Sequence, residues 1–358
     1  MIAVELFAGA GGLSLGLEKA KIKVILANEI EPDFAKTLSI NHPNTKVLCD
    51  DIHNIEFEKE VSSLGYGRVD IVSGGPPCQG FSTVGSKNKK DPRNSLFYEF
   101  LRAVAVLNPN FVLFENVSGF KRMYQGEAYK CLKNELAVLG FQISACILEA
   151  SNYGLPQKRQ RTIVLGWKKH LNPVLLPEPS HGEFETFFGN KSKLTLMDAI
   201  SDLPPLISGQ RSDNYLTEPQ NEYQLNMRRN TKMLTEHNVA NYGEKMRRVL
   251  SLIPPGGSVG DLPDDLKPKS YFANTYARLI PNTPSPTITR NFGTPSSSRC
   301  VHPFQDRALS TREGARLQGF PDDYIFYGSK GSKNLQIGNA VPPIFGGIIA
   351  NQIISSCK

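Results

Sequence analysis

The sequence predicts an α/β protein built on an open parallel sheet, followed by a second domain of irregular structure. Three observations carry that expectation. The chain opens as strand, glycine loop and helix; the next strands each run into a carboxylate or a glycine turn; and after Trp167 the regular alternation of apolar runs stops. At 358 residues the chain exceeds the usual size of one hydrophobic core, so two domains are expected.

The first strand is Ile2 to Phe7, the loop is Ala8-Gly9-Ala10-Gly11-Gly12, and the helix carries Leu13, Leu15, Leu17 and Ala20. Such a loop lets backbone amides approach a nucleotide-like ligand at a helix N-terminus. It departs from the dinucleotide fingerprint, because Ser14 stands where the third glycine would be. Taken alone, it reads equally as a plain tight turn. The second strand, Lys23 to Asn28, ends at Glu29, where a carboxylate can accept both hydroxyls of a ribose or simply face solvent. The third, Thr45 to Cys49, ends at Asp50-Asp51-Ile52. Glycine loop, Glu29 and Asp51 thus gather at the C-terminal ends of successive strands, where open parallel sheets bind ligands, and point to a nucleoside-containing cofactor.

A fourth strand, Val69 to Ser73, runs into Gly74-Gly75-Pro76-Pro77-Cys78-Gln79-Gly80-Phe81-Ser82. Two glycines permit positive φ or close backbone approach, and two prolines fix φ and remove amide donors. The turn presents one thiol, either as a nucleophile or as a small buried cysteine. The loop that follows holds Lys87, Lys89 and Lys90, either against phosphates or as a solvated charge run. A helix from Asn94 to Leu107 leads to the strand Phe111 to Phe114, which ends at Glu115-Asn116-Val117. A carboxylate closing a buried strand is a candidate acid, since burial raises its pKa. A helix over 128–139 and a strand over 141–148 come next. Gln157-Lys158-Arg159-Gln160-Arg161 then precedes the apolar run 162–166. Arginines two apart on an extended segment share a face, suited to phosphate or a carbonyl oxygen or left as a solvent-facing edge.

Residues 170 to about 285 are rich in Pro, Asn and Ser. Tyr223, Arg228, Arg229, Lys232, His237, Lys245, Arg247 and Arg248 interleave basic and aromatic character there, as a polyanion-reading surface or as a structural insert would. Ser310-Thr311-Arg312-Glu313 is a capping box opening a helix that stops at Gly319-Phe320-Pro321. Gln336 to Pro343 precedes an apolar helix over 344–354.

The net charge of +7 favours a polyanionic partner. Six scattered cysteines, without a Cys-x-x-Cys or His pairing, read as reduced thiols rather than disulfides or a zinc site. No basic leader opens the chain, and no apolar run nears the ~18 residues of a membrane span. The expectation is an intracellular, cytoplasmic protein without metal.

In order along the chain, Phe7–Gly12, Gly75–Ser82, Glu115–Val117, Gln157–Arg161, Arg312–Pro321 and Gly338–Pro343 closely resemble the blocks of bacterial cytosine-5 DNA methyltransferases of restriction–modification type. The resemblance runs from Val4 to the last helix, except in the middle of the second domain. It implies a Rossmann-like S-adenosylmethionine-dependent domain with a mixed, mostly parallel sheet over residues 1–172, completed by 325–358. A smaller irregular target-recognition domain spans 173–324. By the same resemblance Cys78 is the nucleophile and Glu115 the acid at ring nitrogen 3. Arg161 meets the base carbonyl, with Arg159 beside it near the phosphate backbone. Phe7, Ala8, Gly9, Gly11, Gly12, Leu13, Glu29, Ile30, Asp51, Ile52, Pro76, Asn339, Ala340 and Val341 form the cofactor pocket. Gln79, Ser82, Lys87, Lys89, Arg93 and Thr287 contact duplex DNA. The implied setting is a nucleoid-associated monomer with a cognate restriction endonuclease encoded nearby. A tRNA-methylating relative, a non-catalytic DNA-binding regulator and a dehydrogenase are the competing readings.

Overall fold

The computed structural model of the chain describes residues 1–77, 92–183, 191–229, 231–297 and 300–357. Two compact units divide them: residues 1–149, 160–178 and 341–358, and residues 150–159 and 179–340.

The first unit alternates strands and helices: β1 Ile2–Leu6, α1 Gly12–Lys19, β2 Lys23–Asn28, α2 Pro32–Asn41, β3 Lys46–Leu48, α3 Phe57–Ser63, β4 Ile71–Gly74, α4 Pro92–Leu107, β5 Phe111–Val117, α5 Glu127–Val138 and β6 Phe141–Glu149. After the two-residue β7 Gln157–Lys158 in the second unit, β8 Gln160–Lys168 returns to the first. Among the described residues the sheet order is β3-β2-β1-β4-β5-β8-β6. The five strands from β3 to β5 are parallel, whereas β8 runs antiparallel to both β5 and β6. This is the expected mixed, mostly parallel sheet. The antiparallel turn of β8 sets Val117 opposite Arg161 and Glu115 opposite Ile163, so the tail of β5 meets the start of β8.

The core beneath that edge is aromatic. Phe97 and Phe100 on α4, Phe114 on β5 and Phe120 are buried together, with ring centroids 5.0–6.3 Å from Phe114. Such burial contributes roughly 2–3 kcal/mol per ring and fixes the strand that carries Glu115. The last helix, α11 Pro343–Ser356, packs on α1 with very close backbones. A side chain on Gly16 would lie 2.1 Å from Pro343 O and 2.7 Å from Gly346 Cα. The close-packing role of the third glycine in a dinucleotide loop has therefore passed to Gly16, and Ser14 is free for another use.

The second unit holds α6 Leu196–Ile200, α7 Glu222–Arg228, α8 Glu244–Ser251, the short strand β9 Ser285–Pro286 paired with β7, α9 Thr311–Gln318 and α10 Lys330–Asn339. Its centre is α9, every residue of which is buried. The capping box at Ser310 and Glu313 is present as expected. Around it lies a buried ionic network. Arg316 pairs with Asp202 and, at 2.7 Å, with Asp322, while Arg307 meets Glu313 at 2.7 Å. Arg228 joins Asp202 at 2.6 Å, Tyr223 donates to Arg316 O, and His237 contacts Ser310 and Pro204 O. Arg228 and His237 thus face inward, as parts of a structural insert rather than as polyanion contacts: Arg228 partners the buried Asp202 carboxylate, and His237 is held by Ser310 and Pro204 O. Lys245, Arg247 and Arg248 on α8 stay exposed.

By composition, the Lys330–Ser356 segment would pass as a membrane-spanning helix, since an 18-residue window within it has mean hydropathy 1.3. Pro342 breaks it between α10 and α11.

Candidate active site

The glycine loop is held from two sides. Ala8 N donates to Asn28 O at 2.9 Å, and Gly9 N to Glu29 Oε2 at 2.7 Å. Phe7, Gly9 and Gly11 take positive φ, the last as N-cap of α1. An added side chain on Gly9 would meet nothing within 4 Å, so the loop presents open space there. Glu29, at the end of β2, also accepts from Glu31 N at 2.9 Å. Burial pushes its pKa up against those hydrogen bonds. Asn28 Nδ2 donates to Leu48 O and Asp50 O, tying β2 to the end of β3, where Asp51 caps a short helical turn and holds His53. Those bonds set the Asp51 carboxyl below its usual range. Ala8, Gly12 and Leu13 are buried in and after the loop, Ile52 is buried in the core beyond β3, and Ile30 is 58 % exposed.

Two strands on from β1, at the end of β5, Glu115 meets Arg161. Arg161 Nε lies 2.8 Å from Glu115 Oε1, with both side chains largely buried. Asn116 Nδ2 donates to Pro76 O at 3.0 Å, fastening the Gly75-Pro76-Pro77 turn to β5. Cys78, Gln79, Ser82, Lys87 and Lys89 lie outside the described residues, and Arg93 falls in the first turn of α4.

In the second unit Arg159 is buried. Its Nη atoms donate to Ile288 O, Gly338 O and Ala340 O at 2.9–3.0 Å. Gln157 reaches Leu317 O and Gln318 and accepts from Ile288 N, and Gln318 donates to Ala340 O. Thr287 Oγ1 donates to Lys158 O at 2.8 Å. Arg159 and Arg161 therefore take partners in different units, Arg159 as a brace joining three segments. Asn339 closes α10 and is exposed; Ala340 follows it in the second unit, and Val341 belongs to the first. The pairing of Glu115 with Arg161 and the bracing by Gln157 escaped sequence reasoning. Their charge and spacing were visible, but their partners lie 46 or more residues away. Among the described residues no cluster of three or more His, Cys, Asp or Glu could hold a metal.

Residues 1–355 match the model of the C-5 cytosine-specific DNA methylase family. Type II methyltransferase M1.HphI of Haemophilus parahaemolyticus is 33 % identical over 354 residues, covering 98 % of this chain and 86 % of that protein. M.DdeI of Desulfomicrobium norvegicum is 34 % identical over 378 residues, covering 99 % and 88 %. Among solved structures, a prophage-encoded E. coli protein described as a DNA modification methyltransferase aligns with a TM-score of 0.79, 27 % identity and 99 % of each chain. Spodoptera frugiperda DNMT2, at 16 % identity and a TM-score of 0.61 over 100 % of this chain and 99 % of that one, shares the fold.

Proposed function

The chain belongs to the C-5 cytosine-specific DNA methylase family and is a cytosine-5 DNA methyltransferase of restriction–modification type; from that premise we propose a reaction that uses S-adenosylmethionine, a flipped cytosine and a covalent Cys78 adduct. The observation that carries the reading is the Glu115–Arg161 pair, fastened through Asn116 to the turn that leads into Cys78.

Carbon 5 of cytosine is a poor nucleophile. The Cys78 thiolate adds to carbon 6, and a proton supplied through Glu115 at ring nitrogen 3 takes up the negative charge, leaving an electron-rich carbon 5. Arg161 orients Glu115 and receives the base carbonyl. Once carbon 5 carries the methyl group, its proton passes to ordered water, and the electron pair returns to the ring as the carbon–sulfur bond breaks and ring nitrogen 3 gives its proton back through Glu115. A duplex hides the ring, so the base is flipped into the site at a cost of a few kcal/mol. The cofactor supplies the electrophilic methyl group on its sulfonium. Residues present fit it: the open face of Gly9 lies beside the Glu29 carboxylate, which retains lone pairs for ribose hydroxyls, with Asp51 and Ile52 at the next strand-end. Arg159 serves by bracing Ile288 and Ala340 rather than by touching phosphate. Unit 2 reads the duplex sequence, with Thr287 at its edge. The protein works in the cytoplasm as a monomer beside a cognate endonuclease.

Purified protein with methyl-labelled cofactor and mixed-sequence duplex is expected to produce labelled 5-methylcytosine, and its absence sinks the reading. Cys78→Ser should abolish turnover. Duplex carrying 5-fluorocytosine at the target should trap a protein–DNA adduct with the native enzyme, since fluorine cannot leave as a proton does; no adduct removes Cys78 from the scheme. Bisulfite sequencing of DNA from expressing cells gives the target sequence.

A further inference from the structure

We infer that Gly75 is a positioning residue for this reaction, whose missing side chain is the space in which the Glu115 carboxylate lies. The inference rests on the role given to Glu115 above. β4 and β5 run parallel with Gly74 opposite Phe114, so Gly75 leaves the sheet alongside Glu115. A Cβ on Gly75 would stand 2.8 Å from Glu115 Oε2 and 3.2 Å from its backbone oxygen. The other carboxylate oxygen is held by Arg161 at 2.8 Å. The carboxylate is therefore fixed between a guanidinium on one side and bare backbone on the other. A swing of the turn to make room is opposed by the hydrogen bond from Asn116 to Pro76 O at 3.0 Å.

A glycine at such a turn ordinarily signals positive φ, but the φ of Gly75 lies outside the left-handed region. Alanine can adopt its backbone. What alanine cannot do is share space with Oε2, so the substitution drives the carboxylate off its line with Arg161. Displacing a reacting group by about 1 Å commonly costs about 100-fold in rate.

The test is a double-mutant cycle in the full-length enzyme with duplex DNA, in which Gly75→Ala is made in the native and Glu115→Gln backgrounds. Alone, Gly75→Ala is expected to lower kcat about 100-fold, with KM for DNA changed by less than about threefold. In Glu115→Gln, where the acid is already gone, it is expected to cost less than about threefold more. The kcat–pH profile of Gly75→Ala should also move relative to the native enzyme, as the carboxyl loses its cationic neighbour. Native turnover in Gly75→Ala, or the same loss in both backgrounds, overturns the inference. If Glu115→Gln itself leaves turnover unchanged, the role of Glu115 fails instead. Should Gly75→Ala not fold, adding Glu115→Asp, whose shorter side chain vacates the space, is expected to restore a cooperative unfolding transition; persistent unfolding overturns the inference.

Discussion

Glu5, 2 % exposed on β1, shares a hydrogen bond with Ser14 beneath the glycine loop. Burial pushes its pKa from 4.5 to about 8, against the Ser14 bond and with Glu18 and Glu29 adding to the rise. At neutral pH the folded protein keeps this carboxyl protonated while the unfolded chain releases the proton. The sign follows: its contribution is full below about pH 4.5 and is lost as pH rises through about 8. Glu5→Gln keeps the shape without the proton, so it is expected to stabilise the protein at pH 7 by up to about 3 kcal/mol and to change little at pH 4.5. Urea titrations at the two pH values check this, and equal effects at both would refute it. The same buried neutral acid explains Ser14. A dinucleotide fingerprint would have a glycine there, and here the hydroxyl satisfies a carboxyl instead.

At the scale of elements, α1 and α11 depend on two facing glycines. A side chain at Gly346 would lie 2.6 Å from Leu13 O, just as one at Gly16 would meet Pro343 O. Gly16→Leu is expected to force the helices apart at a cost of about 3 kcal/mol. Trp167, the single tryptophan, lies in the same unit and reports the shift as a lower urea midpoint. An unchanged midpoint would show that the helices yield cheaply. Since α1 starts at the glycine loop, a weaker cofactor affinity is expected alongside.

The whole molecule has opposite pH liabilities in its two units. In the second unit burial pushes His302 down from 6.5 to about 3, against the pull of Glu313. Arginine neighbours hold Glu313 and Asp322 low despite their burial. All three groups bind protons more readily when unfolded, so stability present above about pH 6.5 is lost progressively as pH falls toward 3. Glu5 acts in the reverse sense in the first unit. The expected stability profile is a dome between these limbs, checked by thermal midpoints across pH. His302→Gln should flatten the acid limb and leave the alkaline limb unchanged, whereas a steep acid limb in that variant would show that the carboxylates alone produce it.

The amino-acid sequence by itself determined the strand–helix alternation, because period-two and period-3.6 apolar patterns are local, and it determined the family, because Gly-Pro-Pro-Cys, Glu-Asn-Val and Gln-x-Arg-x-Arg stand in order. It gave no sign of α2, α3, α6, α7, α8 or α10, whose apolar stripes are short and mixed with polar residues. Only the tertiary structure decided which charges are structural. Arg159, Arg228 and Arg316 look in the sequence like any solvent-facing cations, yet each is buried against acceptors that include ones from distant segments, and Arg307 is buried against Glu313 six residues on. It likewise decided that Gly75 gives room to a carboxylate rather than flexibility to a turn, since that depends on what stands opposite, and the chain brings Glu115 there only by pairing β4 with β5.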